Sequence, residues 1–257
     1  MERAMIILTP YESRRLIAKA VAALPCVQQA KADGWIITAT GSSTGYVAEE
    51  LTGQPMVKEN FISGHITAGE TWSTPDNPDY IFPVVLHKGE RQLIPFEEAL
   101  AKFGPHDVFI KGANAVDSQF FAGIMMANEK GGTIGTALGS LQARGSQLII
   151  PVGLEKLIPS VLEAVKHMGI NHYAWVTGTA VGMMPVISAT VVTEIQALQI
   201  LCGVETWHVG SGGIAGSEGA VALVIEGSAA QVADAHKLIQ SVKGELPLKR
   251  PNGTPRH

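Results

Sequence analysis

One stretch constrains this chain more than any other: a short apolar run that passes through a small-residue turn into a helix. Trp35, Ile36, Ile37, Thr38 and Ala39 read as a buried strand, and Thr40-Gly41-Ser42-Ser43-Thr44-Gly45 follows with little side-chain bulk. Residues 46–51 then continue as a helix. Ser43 or Thr44 is a candidate cap for that helix. Backbone N–H groups at such a turn are free to point at a ligand, and a helix N-terminus favours negative charge. The turn therefore predicts an anion site at the carboxyl end of the first strand. The bland alternative is a tight connection with a helix cap.

Strand and helix patterns alternate from about residue 30 to 168. Helices are expected at 95–104, 136–144 and 154–168, and strands at 61–67, 80–87, 107–110 and 147–152. A polar loop is expected at 70–79. This alternation predicts a mainly parallel, Rossmann-like sheet with helices on both faces. In such sheets ligands sit at the carboxyl ends of the strands. Two further segments fall at such ends. Lys111-Gly112-Ala113-Asn114-Ala115-Val116-Asp117 follows one strand, and Glu129-Lys130-Gly131-Gly132-Thr133 precedes a helix. Lys111 and Lys130 are candidate charge partners for an anion, or ordinary solvated lysines. Asn114 and Asp117 either contact the ligand or bond their own turn. Glu129 is the weak candidate for a general base.

Thr9, Pro10 and Glu12 form a capping-box pattern for an opening helix. The last third changes character. A β-rich run at 186–192, a helix capped by Thr193, strands at 204–209 and 220–225 and a helix capped by Ser228 give a β-α-β-β-α order. That order predicts a small ferredoxin-like α+β unit. The expected division is an α/β ligand-binding domain at 1–180 and the α+β unit at 181–257, with a loose Pro-rich tail after Lys243. A glycine cluster at 210–219 is expected to be a hairpin loop, with a lid or subunit contact as the sharper alternative.

The segments resemble the superfamily of ribose-5-phosphate isomerase, glucosamine-6-phosphate deaminase and CoA transferases. Thr40-Gly41-Ser42-Ser43-Thr44 stands where the isomerase branch has its phosphate loop. Residues 111–117 stand at its acidic turn, and Lys130-Gly131-Gly132-Thr133 at its Lys-Gly-Gly loop. The resemblance implies the fold and a phosphate crevice made by Thr40, Gly41, Ser42, Ser43, Thr44, Lys111, Gly112, Asn114, Asp117, Lys130, Gly131, Gly132 and Thr133. The acids depart from the family: Lys111, Asn114 and Ala115 replace carboxylates, and residues 133–141 contain no acid where the general base belongs. Aldose–ketose isomerisation needs that base. The expectation is a protein that binds an anionic metabolite (a phosphosugar, nucleotide or CoA ester) without isomerase activity. The alternative is an enzyme of another class on such a metabolite.

Composition narrows the rest. Of 257 residues, 46% are hydrophobic and 16% charged, as in a folded globular chain. A net charge of −4 gives no electrostatic case for nucleic acid. Every apolar run is interrupted before membrane-spanning length, so no membrane partner is expected. Cys26 and Cys202 lack metal spacing and read as buried thiols of a reducing, cytoplasmic compartment. The eight histidines, His65 and His87 among them, have no spaced ligand partners, so no metal and no cofactor is expected. Association into a homo-oligomer through the α+β unit is compatible with the weakly charged composition.

Overall fold

A computed structural model describes residues 1–73 and 77–252. In chain order the elements are β1 (Glu2–Leu8), α1 (Pro10–Ala23), α2 (Pro25–Asp33), β2 (Trp35–Thr38), α3 (Ser42–Thr52), β3 (Gly64–Thr67), β4 (Glu70–Ser73), β5 (Val84–His87), β6 (Glu90–Gln92) and α4 (Phe96–Ala101). They continue with β7 (Val108–Ile110), β8 (Ala115–Val116), β9 (Ala122–Met126), α5 (Gly132–Arg144), β10 (Gln147–Pro151), α6 (Val161–Val165), β11 (Gly182–Val186) and β12 (Thr190–Val192). The chain closes with α7 (Glu194–Cys202), β13 (Glu205–Gly212), β14 (Ala220–Gly227) and α8 (Ala229–Val242).

The fold is mixed α/β. Its largest sheet has the order β12-β10-β7-β2-β5-β6. The four strands β12, β10, β7 and β2 run parallel, and β5 and β6 add an antiparallel edge. Side chains alternate between the two faces because strand periodicity is two. Ile36, Val108, Ile110 and Ile149 pack with α1, α3 and α7 through Leu16, Ile17, Val47 and Leu198. Their neighbours Ile37, Phe109 and Ile150 pack on the opposite face against α4 and α5 through Leu100, Ile134, Ala137 and Leu141. Helices thus cover both faces, as the strand–helix alternation requires.

The boundaries differ from the sequence reading in instructive ways. The β-α-β-β-α unit does not separate at residue 180. β12 joins the large sheet beside β10, and the place it was expected to fill is taken by β1 from the other end of the chain. The three-stranded sheet is β1-β14-β13, antiparallel throughout. Leu8, Val221, Leu223 and Ile225 put its inner face into the same core as α1. Val191 and Val192 are β-branched and apolar on both sides, so a strand buried on both faces suits them better than a half-exposed one.

Residues 154–168 are not one helix. Leu154–Lys156 is a 3-10 turn and only Val161–Val165 is helical. Pro159 prevents residue 158 from entering a helix, and Ser160 starts the new one by accepting from the Glu163 N–H. The expected loop at 70–79 opens with strand β4, and residues 74–76 lie outside the described residues. The tail is packed as far as it is described. Lys249 N–H donates to Glu59 at 2.7 Å, Asn252 donates to Asp79 at 3.2 Å, and Pro251 is buried. Residues 253–257 of the expected loose tail lie outside the described residues.

No described helix is long and apolar enough to cross a membrane.

Candidate anion site

β2 ends at Thr38, and Ala39 prolongs its ladder by donating to the Ile110 carbonyl at 2.9 Å. The chain then turns at Gly41, whose N–H donates to Phe61 at 2.7 Å, and enters α3. Thr44 caps nothing. Its hydroxyl donates to the Gly41 carbonyl at 3.1 Å and is fully buried behind the turn. The N-cap of α3 is Gly41, with no side-chain bond to the helix. The first N–H groups of the helix therefore have no partner from its own cap.

The second turn is built differently and ends in the same condition. Asn128 folds it: its side-chain oxygen accepts from Lys130 N–H at 2.8 Å, and its carbonyl accepts from Gly131 N–H at 2.9 Å. Gly131 has φ +83°, a left-handed conformation that disfavours any side chain. Gly135, one turn into α5, packs so tightly that a Cβ there would overlap the Lys130 carbonyl. Gly131 is the N-cap of α5 and again supplies no side-chain cap.

Both turns open into one cavity of about 310 Å³. Thr40, Gly41, Ser42 and Ser43 line it from the first turn, and Gly131, Gly132 and Thr133 from the second. Lys111, Gly112 and Asn114 enter from the end of β7. Thr40 is fixed by hydroxyl contacts to Ser63 at 3.1 Å and Tyr80 at 3.2 Å. Asn114 accepts the Met125 N–H at 3.0 Å, so its side chain partly serves its own turn. The β3–β4 hairpin walls the cavity with His65, Ile66 and Trp72. Thr71 ties the hairpin down: its hydroxyl donates to the Thr179 carbonyl at 2.6 Å, and its own carbonyl accepts the Thr179 N–H at 2.8 Å.

Four of the residues singled out in the sequence stand apart from this cavity. Asp117 is buried, and its carboxylate accepts N–H groups of Gln119, Phe121 and Val161 at 2.9–3.1 Å. It holds its own loop together. Thr44 lies behind the turn. Lys130 is exposed and does not line the cavity. Glu129 is exposed too and lines only a neighbouring outer depression.

The most consequential lining residue was hidden in the sequence. Lys156 reaches the cavity from the 3-10 turn after β10, and its ammonium donates to the Ala113 carbonyl at 2.9 Å. Nothing in a residue expected mid-helix marks it. Its place at the carboxyl end of a parallel strand is the signal that could have. Burial pushes Lys156 down to about 8, with Arg14 adding to the effect and Glu155 and Glu194 opposing it. Lys111 is likewise pushed down to about 8, first by burial and then by the positive charge of Lys156. Lys111 has no ion pair and no side-chain hydrogen bond among the described residues. His65 is held below its ordinary value by burial, with Arg250 of the tail contributing.

Glu194 is fully buried and accepts the Leu154 N–H at 2.9 Å. Burial raises its pKa. Among the described residues no carboxylate lines the cavity itself, and no group of three His, Cys, Asp or Glu side chains could hold a metal ion. The chain matches no known family, no curated protein and no solved structure.

Proposed function

We propose that this protein binds a small anionic metabolite in the cavity between α3, α5 and the β3–β4 hairpin. One observation carries the reading: two lysines and two helix N-termini without side-chain caps converge on a cavity with no described carboxylate. Each feature favours negative charge by itself, and together they set the sign of the local field. The volume suits a sugar phosphate. A nucleotide or CoA ester would place only its phosphate end inside.

The proposed scaffold is a Rossmann-like sheet with a small α+β unit, similar to the ribose-5-phosphate isomerase superfamily. Pentose-phosphate isomerisation is not part of the proposal. The acid-free start of α5 and the outward position of Glu129 leave no carboxylate among the described residues of the cavity to carry a proton between adjacent carbons. Such a base contributes about 10²–10⁴-fold.

The test is titration calorimetry with ribose 5-phosphate and inorganic phosphate on the parent and on Ser43→Glu. A carboxylate at the start of α3 would occupy the anion's place, so the variant should lose binding. Ser211→Glu, on an exposed strand end, should keep it. Equal binding by the Ser43 variant refutes the site.

A further inference from the structure

We propose that Lys111 captures a carbonyl group, forming an imine between its Nζ and an aldehyde or ketone carbon of the bound molecule. The orientation of that molecule rests on the anion site above; the reactivity of Lys111 does not. Lys111 follows β7, which lies between β2 and β10 in the middle of the parallel sheet. It is half-buried, lines the cavity, and has neither a carboxylate nor a hydrogen-bond acceptor on its ammonium among the described residues.

The two lysines differ in a way that assigns their roles. Lys156 is anchored to the Ala113 carbonyl and, beside Arg14, also has Glu155 and Glu194 favouring its charge, so it is the resident cation. Lys111 is unanchored and feels only that cation. A lysine that is desolvated beside a second positive charge is the arrangement that frees an amine as a nucleophile near neutral pH. With Lys111 brought down to about 8, roughly a tenth of it is free amine at pH 7. Among the described residues His65 is the other titratable group on the cavity wall, and burial, with Arg250 contributing, holds it below its ordinary value.

The step balances without an added redox partner. The Lys111 amine lone pair attacks the carbonyl carbon, and the C=O π pair moves to oxygen, which takes up a proton. The nitrogen loses a proton, the hydroxyl leaves as water after a second protonation, and a protonated imine remains. Overall, one ammonium and one carbonyl give one iminium and one water. The Lys156 ammonium, or water, is the proton donor to the departing oxygen.

The experiment uses the full chain with glycolaldehyde phosphate and cyanoborohydride, which delivers hydride to the imine carbon and leaves a stable secondary amine. Peptide mass spectrometry then locates it. Labelling of Lys111 at least about tenfold above that of the exposed Lys130 and Lys237 is expected. Neutral glycolaldehyde runs in parallel, with and without inorganic phosphate. If phosphate neither binds nor protects and both aldehydes still label Lys111 selectively, the anion reading fails and the imine stands. If neither aldehyde labels Lys111 above the exposed lysines, the imine proposal is overturned, whether or not phosphate binds.

Discussion

Two regions of this molecule treat charge and helix ends in opposite ways. Around α1, α7 and α8 every helix start is closed. Thr9 with Glu12, Thr193 with Gln196 and Ser228 with Gln231 all form capping boxes. The charges there are also closed. Arg15 donates to Glu49, Glu50 and Glu245 at 2.5–2.9 Å, and Glu49 also accepts from Lys58 at 2.8 Å. Around the cavity the pattern reverses. The two long helices that open into it begin at glycine, and among the described residues one of its two lysines has no ion pair. Helices α2 and α4 also lack side-chain caps, but proline sits at their starts and they do not face the cavity. The difference teaches that the missing caps are not careless sequence. The chain caps the starts of α1, α7 and α8 with its own side chains, and leaves the starts of α3 and α5 without side-chain caps where they meet the cavity.

The comparison breaks or sharpens by substitution in each region. The largest stability effect is expected for Arg15→Met, which removes the shared partner of three carboxylates at a mostly buried site. It leaves Glu245 without a cation among the described residues, while Lys58 stays on Glu49 and Lys19 lies near Glu50. Thermal or urea unfolding should show a loss of about 3 kcal/mol or more. The folded fraction should still bind sulfate, because the cavity is untouched. Next comes Lys111→Met. Removing a charged partner of about 1.5–3 kcal/mol should weaken sulfate binding by about 10–100-fold, read by calorimetry. Stability should move the other way. In the free protein Lys111 and Lys156 titrate near 8, below an unfolded lysine, so the unfolded chain holds more protons between about 8 and 10.4. The parent should therefore gain stability as pH rises through that window, and the variant should gain less. Sulfate keeps its charge over the same range, so the parent's sulfate affinity should fall above pH 8 as the lysines lose theirs. A flat profile for the parent would show that the two lysines are not desolvated.

The smallest effect is the most direct comparison. Thr193→Ala opens a closed helix and should cost about 1 kcal/mol without touching sulfate affinity. Gly41→Asp closes an open one. Gly41 has extended backbone, which any residue adopts, with the Thr44 hydroxyl the only atom to shift for a side chain. That variant should keep its melting temperature, or gain slightly, and lose sulfate. If both variants only lose stability, the two classes of helix end are alike and the contrast is void.

Three turns that line the cavity could be read in advance, because turns at strand ends are local, whereas its β3–β4 wall and Lys156 could not. Residues 40–43, 111–114 and 131–133 each announce themselves through glycine and small polar residues, and β-sheet geometry brings them together. What could not be read depends on distant partners. Asp117 looks like a ligand residue until Val161 is seen donating to it from 44 positions away. Lys156 looks like a helix-surface lysine until Pro159 is taken seriously. Strand β1 carries no local sign of its pairing, since its partner β14 begins more than two hundred residues later. Local chemistry marks turns; it does not mark which strand will lie beside which.

That last pairing has a consequence during synthesis. Glu2 sits opposite Gly227 and Leu8 opposite Val221, so β1 waits for β14, the last of the described strands. Until residue 227 is out, β1 has an unpaired edge and the core around α1 lacks Val221, Leu223 and Ile225. Closing so long a loop is slow. A nascent chain halted at residue 180 would carry every strand of the large sheet but β12, and all three cavity turns, yet remain open and sticky around β1.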